Sequence, residues 1–339
     1  MTELGRVPPD AKLSPTPRQS TVLVAYHADC IDGFTSAVIC YEALKDKGYK
    51  VTTLPMHYSP ASDKVLLDTL TAQGNRTFDS LYIVDFSLSP DMLYKINCHV
   101  YTEVTILDHH KTAFEKYMPE DYVVTTSSWA QTRMHGADII LDNSKSGAGM
   151  CWSYFHGTGG TIPRLVAYVQ DYDIWQFKLG EPTKWVNKYL LTQDREITHW
   201  LNLLHGMDEP AYLAVILENG RQLQEVHDQK VMDLSGNSAA VTLLGHDGLF
   251  QECTRDLTSD LGHALATISG TFGLMFEWPD DAEDSGVTFS LRSNGDFDVS
   301  AMAKQFGGGG HKNAAGFTVP LAEAIRILES KVDISETLL

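Results

Sequence analysis

Apolar residues in the first half of the chain gather into short continuous runs, separated by stretches with helical spacing. The runs at 21–26, 51–55, 81–85 and 103–107 read as strands. They are unbroken rather than alternating, which suits a parallel sheet buried on both faces. Helical segments are expected near 34–47, 61–73 and 89–97. Strand–helix–strand repetition implies right-handed crossovers and a doubly wound, mostly parallel α/β sheet. Ser146-Gly147 opens a further helix through about 156, and Pro163 fits the first turn of another that ends near Asp171.

From about 195 to 235 the pattern is helical, with Leu201, Leu204, Leu213 and Ile216 spaced for one buried face. Beyond it, strand-like runs recur at 239–244, 271–278 and 287–292, with helices expected at 259–268 and 298–306. The acidic segment Asp280 to Gly286 reads as a solvated turn between two strands. The expected organisation is a loose lead-in at 1–20, a first α/β domain at 21–194, a helical connector at 195–237, and a smaller α/β domain with a mixed sheet at 238–339. Trp129, Trp152, Trp185 and Trp200 read as core residues.

Composition narrows the function classes. A length of 339 residues suits two domains, since a domain commonly holds about 100–200 residues. No apolar stretch approaches the roughly 18–20 residues of a membrane span. The first 20 residues are polar and proline-bearing, so cytoplasm is the default location. Five scattered cysteines without CxxC pairs are neither a disulfide framework nor a structural zinc motif. The net charge of -18 argues against a broad phosphate-binding surface for long nucleic acid, though a short anion held locally remains compatible with it.

Several strands end in acids or imidazoles, and in open α/β sheets ligands bind outside the carboxyl ends of the strands. The run 103–107 leads into Asp108-His109-His110; consecutive histidines after a buried strand are uncommon as packing groups. Imidazole with carboxylate suits Mn, Fe, Co or Zn better than Mg or Ca alone. Strand 21–26 leads into His27, Asp29 and Asp32, with Asp32-Gly33 at the start of a helix. Asp85 follows the third strand. In Asp171-Tyr172-Asp173, either acid ends the helix or reaches the site. In the second domain, Gly307, Gly308, Gly309 and Gly310 precede His311, and such a run lets backbone N–H groups approach an anion. Arg292 and Ser293 close a strand nearby, and a guanidinium fork suits bidentate phosphate recognition.

Taken together, from about 21 to 318, these motifs resemble the DHH phosphoesterase superfamily, which is named for the triplet at 108–110. The glycine run with His311 resembles the signature of the DHH-associated C-terminal domain. Relatives include RecJ-like exonucleases, nano-RNases, cyclic-dinucleotide phosphodiesterases and exopolyphosphatases. The resemblance implies two manganese ions, with Mg2+, Co2+ or another divalent ion as alternatives. It implies His27 on the first ion, Asp32 on the second, Asp85 bridging, and His109 and Asp171 completing the second. His110 would face the phosphate, with Asp108 orienting the imidazoles. Arg292, Ser293, the Gly307–Gly310 loop and His311 would hold the substrate, and His311 would join His110 in stabilising charge or protonating the leaving oxygen. Many relatives carry two first-motif acids separated by one residue. Here Cys30 stands two before Asp32 and Asp29 three before it, so Asp29, Cys30 or water completes the first ion's shell. A thiolate there would shift preference toward softer ions such as Zn or Fe.

The resulting expectation is a metal-dependent phosphodiesterase acting on short oligonucleotides or linear dinucleotides. The alternatives are a phosphatase of nucleotide bisphosphate or polyphosphate, and a non-catalytic nucleotide-binding protein. No membrane partner is expected, and the oligomeric state stays open, a homodimer included.

Overall fold

The computed structural model describes residues 19–71, 77–100, 102–125, 127–279 and 286–329. The chain divides into two compact units, Met1–Arg221 and Gln222–Leu339.

The first unit is built on a six-stranded sheet of order β2-β1-β3-β4-β6-β5. Its strands are β1 (Thr21–His27), β2 (Lys50–Met56), β3 (Ser80–Val84), β4 (Glu103–Asp108), β5 (Trp129–Met134) and β6 (Ala137–Asp142). All neighbours pair in parallel except β5, which returns antiparallel along β6. Alternate residues of β1 show why the sheet is doubly wound. Val22 and Val24 enter one apolar cluster, while Leu23 and Ala25 enter another on the opposite face. Both faces must therefore be covered by helices. α1 (Ile31–Asp46), α5 (Gly147–His156), α6 (Arg164–Asp173), α7 (Glu181–Leu191) and α8 (Ile197–Gly206) contribute to the first cluster. α2 (Pro60–Leu70), α3 (Pro90–His99) and α4 (Lys111–Tyr117) contribute to the second.

β1 is followed by β2 on one side of it and then by β3 on the other. The topological switch point thus falls between β1 and β3, where open α/β sheets place a ligand crevice. The registers align Tyr26 with Val84, and Val84 with Leu107. His27, Asp85 and Asp108 accordingly emerge at one sheet edge.

Three elements of this unit lie where the apolar runs mark none: α4, α7 and the β5–β6 hairpin. The hairpin turns at His135-Gly136, both with positive φ (48° and 82°), as a tight two-residue turn requires. Of the tryptophans expected in the core, Trp200 is fully buried, Trp152 and Trp185 are half-buried, and Trp129 is 59% exposed on edge strand β5.

α9 (Pro210–Gly236) is one continuous helix, and the division between the units falls inside it. The second unit holds a mixed six-stranded sheet of order β11-β12-β10-β9-β8-β7. It comprises β7 (Ala239–Leu243), β8 (His246–Glu252), β9 (Phe272–Phe276), β10 (Val287–Ser293), β11 (Gly309–His311) and β12 (Ala314–Val319). Only β8 and β9 pair in parallel. Val287, Phe289 and Leu291 alternate into one core, joined by α11 (Val299–Gln305) and α12 (Leu321–Glu329). α10 (Thr258–Ser269) takes part in a separate apolar cluster with Cys253 and Met275. Most of the expected acidic turn and the lead-in up to residue 18 lie outside the described residues. Among the described residues, no helix is long and apolar enough to cross a membrane.

Candidate metal centre

Asp85 occupies the middle of the sheet edge and is fully buried. Its φ of 53° is in the left-handed region, which few residues other than glycine, asparagine and aspartate tolerate. Its Oδ1 lies 3.0 Å from His109 Nε2, and its Oδ2 lies 3.6 Å from His27 Nδ1. Burial acts to raise its pKa, but the His109 hydrogen bond and the nearby imidazoles outweigh this and hold the carboxyl below its ordinary value. The reciprocal effect appears on His109. Burial works against its charged form, yet the Asp85 hydrogen bond and the surrounding carboxylates push it up to about 10.

Asp32, in the first turn of α1, is buried and directs both oxygens at the start of α5. It accepts from Gly147 N at 2.6 Å and Ala148 N at 3.0 Å. A helix N-terminus favours such a charge. Its Oδ2 also lies 3.8 Å from His109 Nε2. Burial first, and the Asp85 and Asp173 carboxylates next, push its pKa well above the ordinary value. Two glycines permit this density. A β-carbon at Gly147 would lie 2.6 Å from the Asp85 Cβ, and one at Gly33 would lie 2.3 Å from the His27 carbonyl oxygen.

The third carboxylate near these groups is Asp173. Asp173 Oδ2 lies 3.4 Å from His109 Nε2. Asp171, which the resemblance assigns to that position, is held elsewhere. Its carboxylate accepts from Lys178 N (2.8 Å), Leu179 N (3.0 Å) and Thr183 Oγ1 (2.5 Å). Residues two apart on a helix point about 200° apart, so only one of the pair can face the histidines.

Asp29 stands apart from these groups. Its φ is 55°, and its side chain is 83% exposed. It is near His57 Nδ1 (3.8 Å) and Arg195 Nη1 (3.5 Å) rather than the buried acids. Cys30 is instead grouped with His27 and Asp85, their ligating atoms all within 4.8 Å of one another. Burial, and then the Asp85 and Asp32 carboxylates, push the Cys30 thiol up.

Asp108 Oδ1 accepts from the His110 backbone N–H at 3.1 Å and lies 2.7 Å from His110 Nδ1. The carboxylate therefore orients the imidazole. Burial opposes the charged form of His110, but Asp108 outweighs it and raises the pKa.

Among the described residues, three overlapping groups have the donors to hold a metal ion: His27, Cys30 and Asp85; Asp85, His109 and His110; and Asp32, His109 and Asp173. Asp85 and His109 are each shared by two of them. His27 Nδ1, Asp85 Oδ2 and Asp173 Oδ2 are buried without a hydrogen-bond partner. Such orphaned atoms are costly unless another ligand satisfies them. The donor set of imidazole, carboxylate and thiol fits a divalent transition ion.

In the second unit, Arg292 is half-buried on β10, with its Nη2 donating to Ser259 Oγ at 3.3 Å and its Nη1 to its own neighbour Leu291 O at 3.0 Å. The Ser293 hydroxyl is committed to a turn, donating to Phe297 O at 2.6 Å. The glycine run is less open than an anion nest. The Gly307 and Gly308 N–H groups bond Lys304 O and Ala303 O at the end of α11, and Gly309, Gly310 and His311 form edge strand β11. His311 remains exposed.

Comparison with known proteins shows similarity at the level of fold. Residues 259–333 match the DHHA1 domain model. That stretch, most of the second unit's sheet and its last helix, is what is similar to the DHHA1 domain. An uncharacterized protein, R106 of Acanthamoeba polyphaga mimivirus, is 27% identical over 314 residues, which are 87% of this chain. The chain spans 66% of that relative's length. RecJ of Thermus thermophilus in complex with Mn2+ is similar in fold, with a TM-score of 0.51 at 14% identity, covering 91% of this chain and 51% of that one. An exonuclease RecJ structure bound to manganese gives a TM-score of 0.50 at 14% identity, covering 93% and 92%.

Proposed function

We propose that this chain is a metal-dependent phosphodiesterase that hydrolyses short oligonucleotides or linear dinucleotides to mononucleotides. The observation that carries the reading is the position of Asp85. One buried carboxylate at the switch point serves two groups of potential ligands, and one of its oxygens has no hydrogen-bond partner. We assign His27 and Asp85 to one ion and Asp32, His109 and Asp173 to a second, with Asp85 shared. Such divalent ions, with Mn2+ and Co2+ among the candidates, would lower the pKa of bound water and offset phosphoryl charge.

The remaining roles belong to the protein's own groups. His110, fixed through Nδ1 by Asp108, presents its other nitrogen to the leaving oxygen, where it donates a proton or stabilises charge. The raised His110 pKa keeps the donor form present closer to neutral pH. Gly147 and Ala148 N–H groups hold Asp32 in place, so the acid meets His109 in a fixed orientation. In the second unit, we assign Arg292 and His311 to phosphate binding. The net charge of -18 favours short substrates over long polyanions.

The test is turnover of a panel with Mn2+: a linear dinucleotide, short RNA and DNA oligomers, adenosine bisphosphate and polyphosphate, with Asp85→Ala as control. Mononucleotide release that Asp85→Ala abolishes supports the reading. Phosphate release from the bisphosphate or polyphosphate alone replaces it with a phosphatase. No turnover with any divalent ion replaces it with a nucleotide-binding role.

A further inference from the structure

The centre contains a thiol where a carboxylate was the alternative, and the structure separates the two. Asp29 is turned outward by a left-handed backbone and is 83% exposed, within 4 Å of two basic side chains. Cys30, the next residue, places its sulfur within 4.8 Å of ligating atoms on His27 and Asp85. Both of those residues present a buried atom without a hydrogen-bond partner, His27 Nδ1 and Asp85 Oδ2, 3.6 Å apart. The fully buried Asp85 carboxylate is thus aimed at a space that an imidazole and a sulfur also face.

We propose that Cys30 Sγ is a ligand of the ion held by His27 and Asp85, giving that half of the centre a nitrogen–sulfur–oxygen donor set for a borderline ion of the zinc, iron(II) or cobalt(II) class. This inference rests on the reading of the cluster as a metal centre. The thiolate is the ligating form. An incoming dication expels the thiol proton to solvent as the metal–sulfur bond forms, so binding releases protons and weakens with falling pH. Soft sulfur strengthens the preference for these ions over Mn2+, whereas the group of Asp32, His109 and Asp173 has nitrogen and oxygen donors only and lacks that added preference. The two halves of the centre therefore differ in preference, and the more selective position lies at the end of β1.

The experiment is a Co2+ titration of the full-length apo protein, read by absorption. Sulfur-to-cobalt charge transfer gives a near-ultraviolet band, while the visible ligand-field bands report any bound Co2+. The wild type should show both. Cys30→Ser should lose the charge-transfer band and keep the visible bands, and Cys98→Ser should keep both. Cys30→Asp should also lose the ultraviolet band, and its competition between Zn2+ and Mn2+ should move toward Mn2+. Visible bands in the wild type without the ultraviolet band overturn the cysteine ligand and leave the metal centre standing. Absence of all cobalt bands from folded wild-type protein, checked by circular dichroism, overturns the metal centre itself.

Discussion

His109 Nε2 and Asp173 Oδ2 stand 3.4 Å apart, although the two residues come from different elements, the end of β4 and the last turn of α6. Asp171, only two positions earlier, is tied to the loop that precedes and enters α7. The two acids should respond differently to the same change. Asp173→Asn should weaken divalent-ion binding with little loss of stability. Asp171→Asn should leave binding intact and cost about 1–3 kcal/mol of stability, as removal of charge-assisted hydrogen bonds does. Calorimetric ion titration and urea unfolding of both variants check this, and a reversed pattern would restore Asp171 as the ligand.

The Asp171 contribution also has a pH signature. Burial alone would raise its pKa, but the Thr183 hydroxyl and the backbone N–H groups of Leu179 and Lys178 lower it below the ordinary 3.8. A carboxyl whose folded pKa is depressed stabilises the fold above the unfolded value and loses that contribution as pH falls through the folded one. The melting-temperature gap between wild type and Asp171→Asn should stay constant from neutral pH down to mildly acidic conditions. It should close below pH 3.8.

Gly147 allows Asp32 and Asp85 to meet the start of α5. A β-carbon there would lie 2.6 Å from the Asp85 Cβ and 2.9 Å from Asp32 Oδ2. Gly147→Ala should destabilise the first unit by about 1–3 kcal/mol, the ordinary range for overpacking, and impair ion binding together with it. Thermal unfolding and cobalt titration of the same sample test both effects. Unchanged values for both would contradict the described packing.

Asp108 touches the centre only through His110. Asp108→Asn should lower kcat by roughly 10–100-fold, the usual cost of losing a partner that orients an active group. Ion affinity should stay near that of the wild type, because His110, the residue Asp108 orients, is not among the ligands proposed for either ion. The split between kcat and ion binding distinguishes this role from a structural one.

Asp85→Asn removes the shared ligand. Hydrolysis should fall by more than about a hundredfold, beyond the usual range for outer-shell partners. Full activity in this variant would remove the basis of the proposed function.

The strands of the first unit were legible because β1, β3 and β4 are buried on both faces and their apolar runs are uninterrupted. The β5–β6 hairpin escaped that reading, since an edge strand such as β5 exposes Trp129 and Arg133 and carries no continuous run. Its two-residue His135-Gly136 turn was the available signal. In the second unit, the glycine run was legible as unusual, but not as the end of α11 followed by an edge strand. Glycines permit either arrangement, and pairing with β12 selects the second.

What the sequence alone determined is the doubly wound sheet and the presence of acids and imidazoles at its carboxyl edge, because both follow from local apolar runs and the residues that end them. Which of two neighbouring groups enters the centre was decided only by tertiary structure. Asp173 rather than Asp171 faces His109 because helix α6 can turn one of them inward, and the loop after it supplies donors to the other. Cys30 rather than Asp29 meets His27 and Asp85 because a positive φ at Asp29 turns its side chain out toward His57 and Arg195. Side-chain direction at such positions depends on partners far away in the chain, and no local pattern records them.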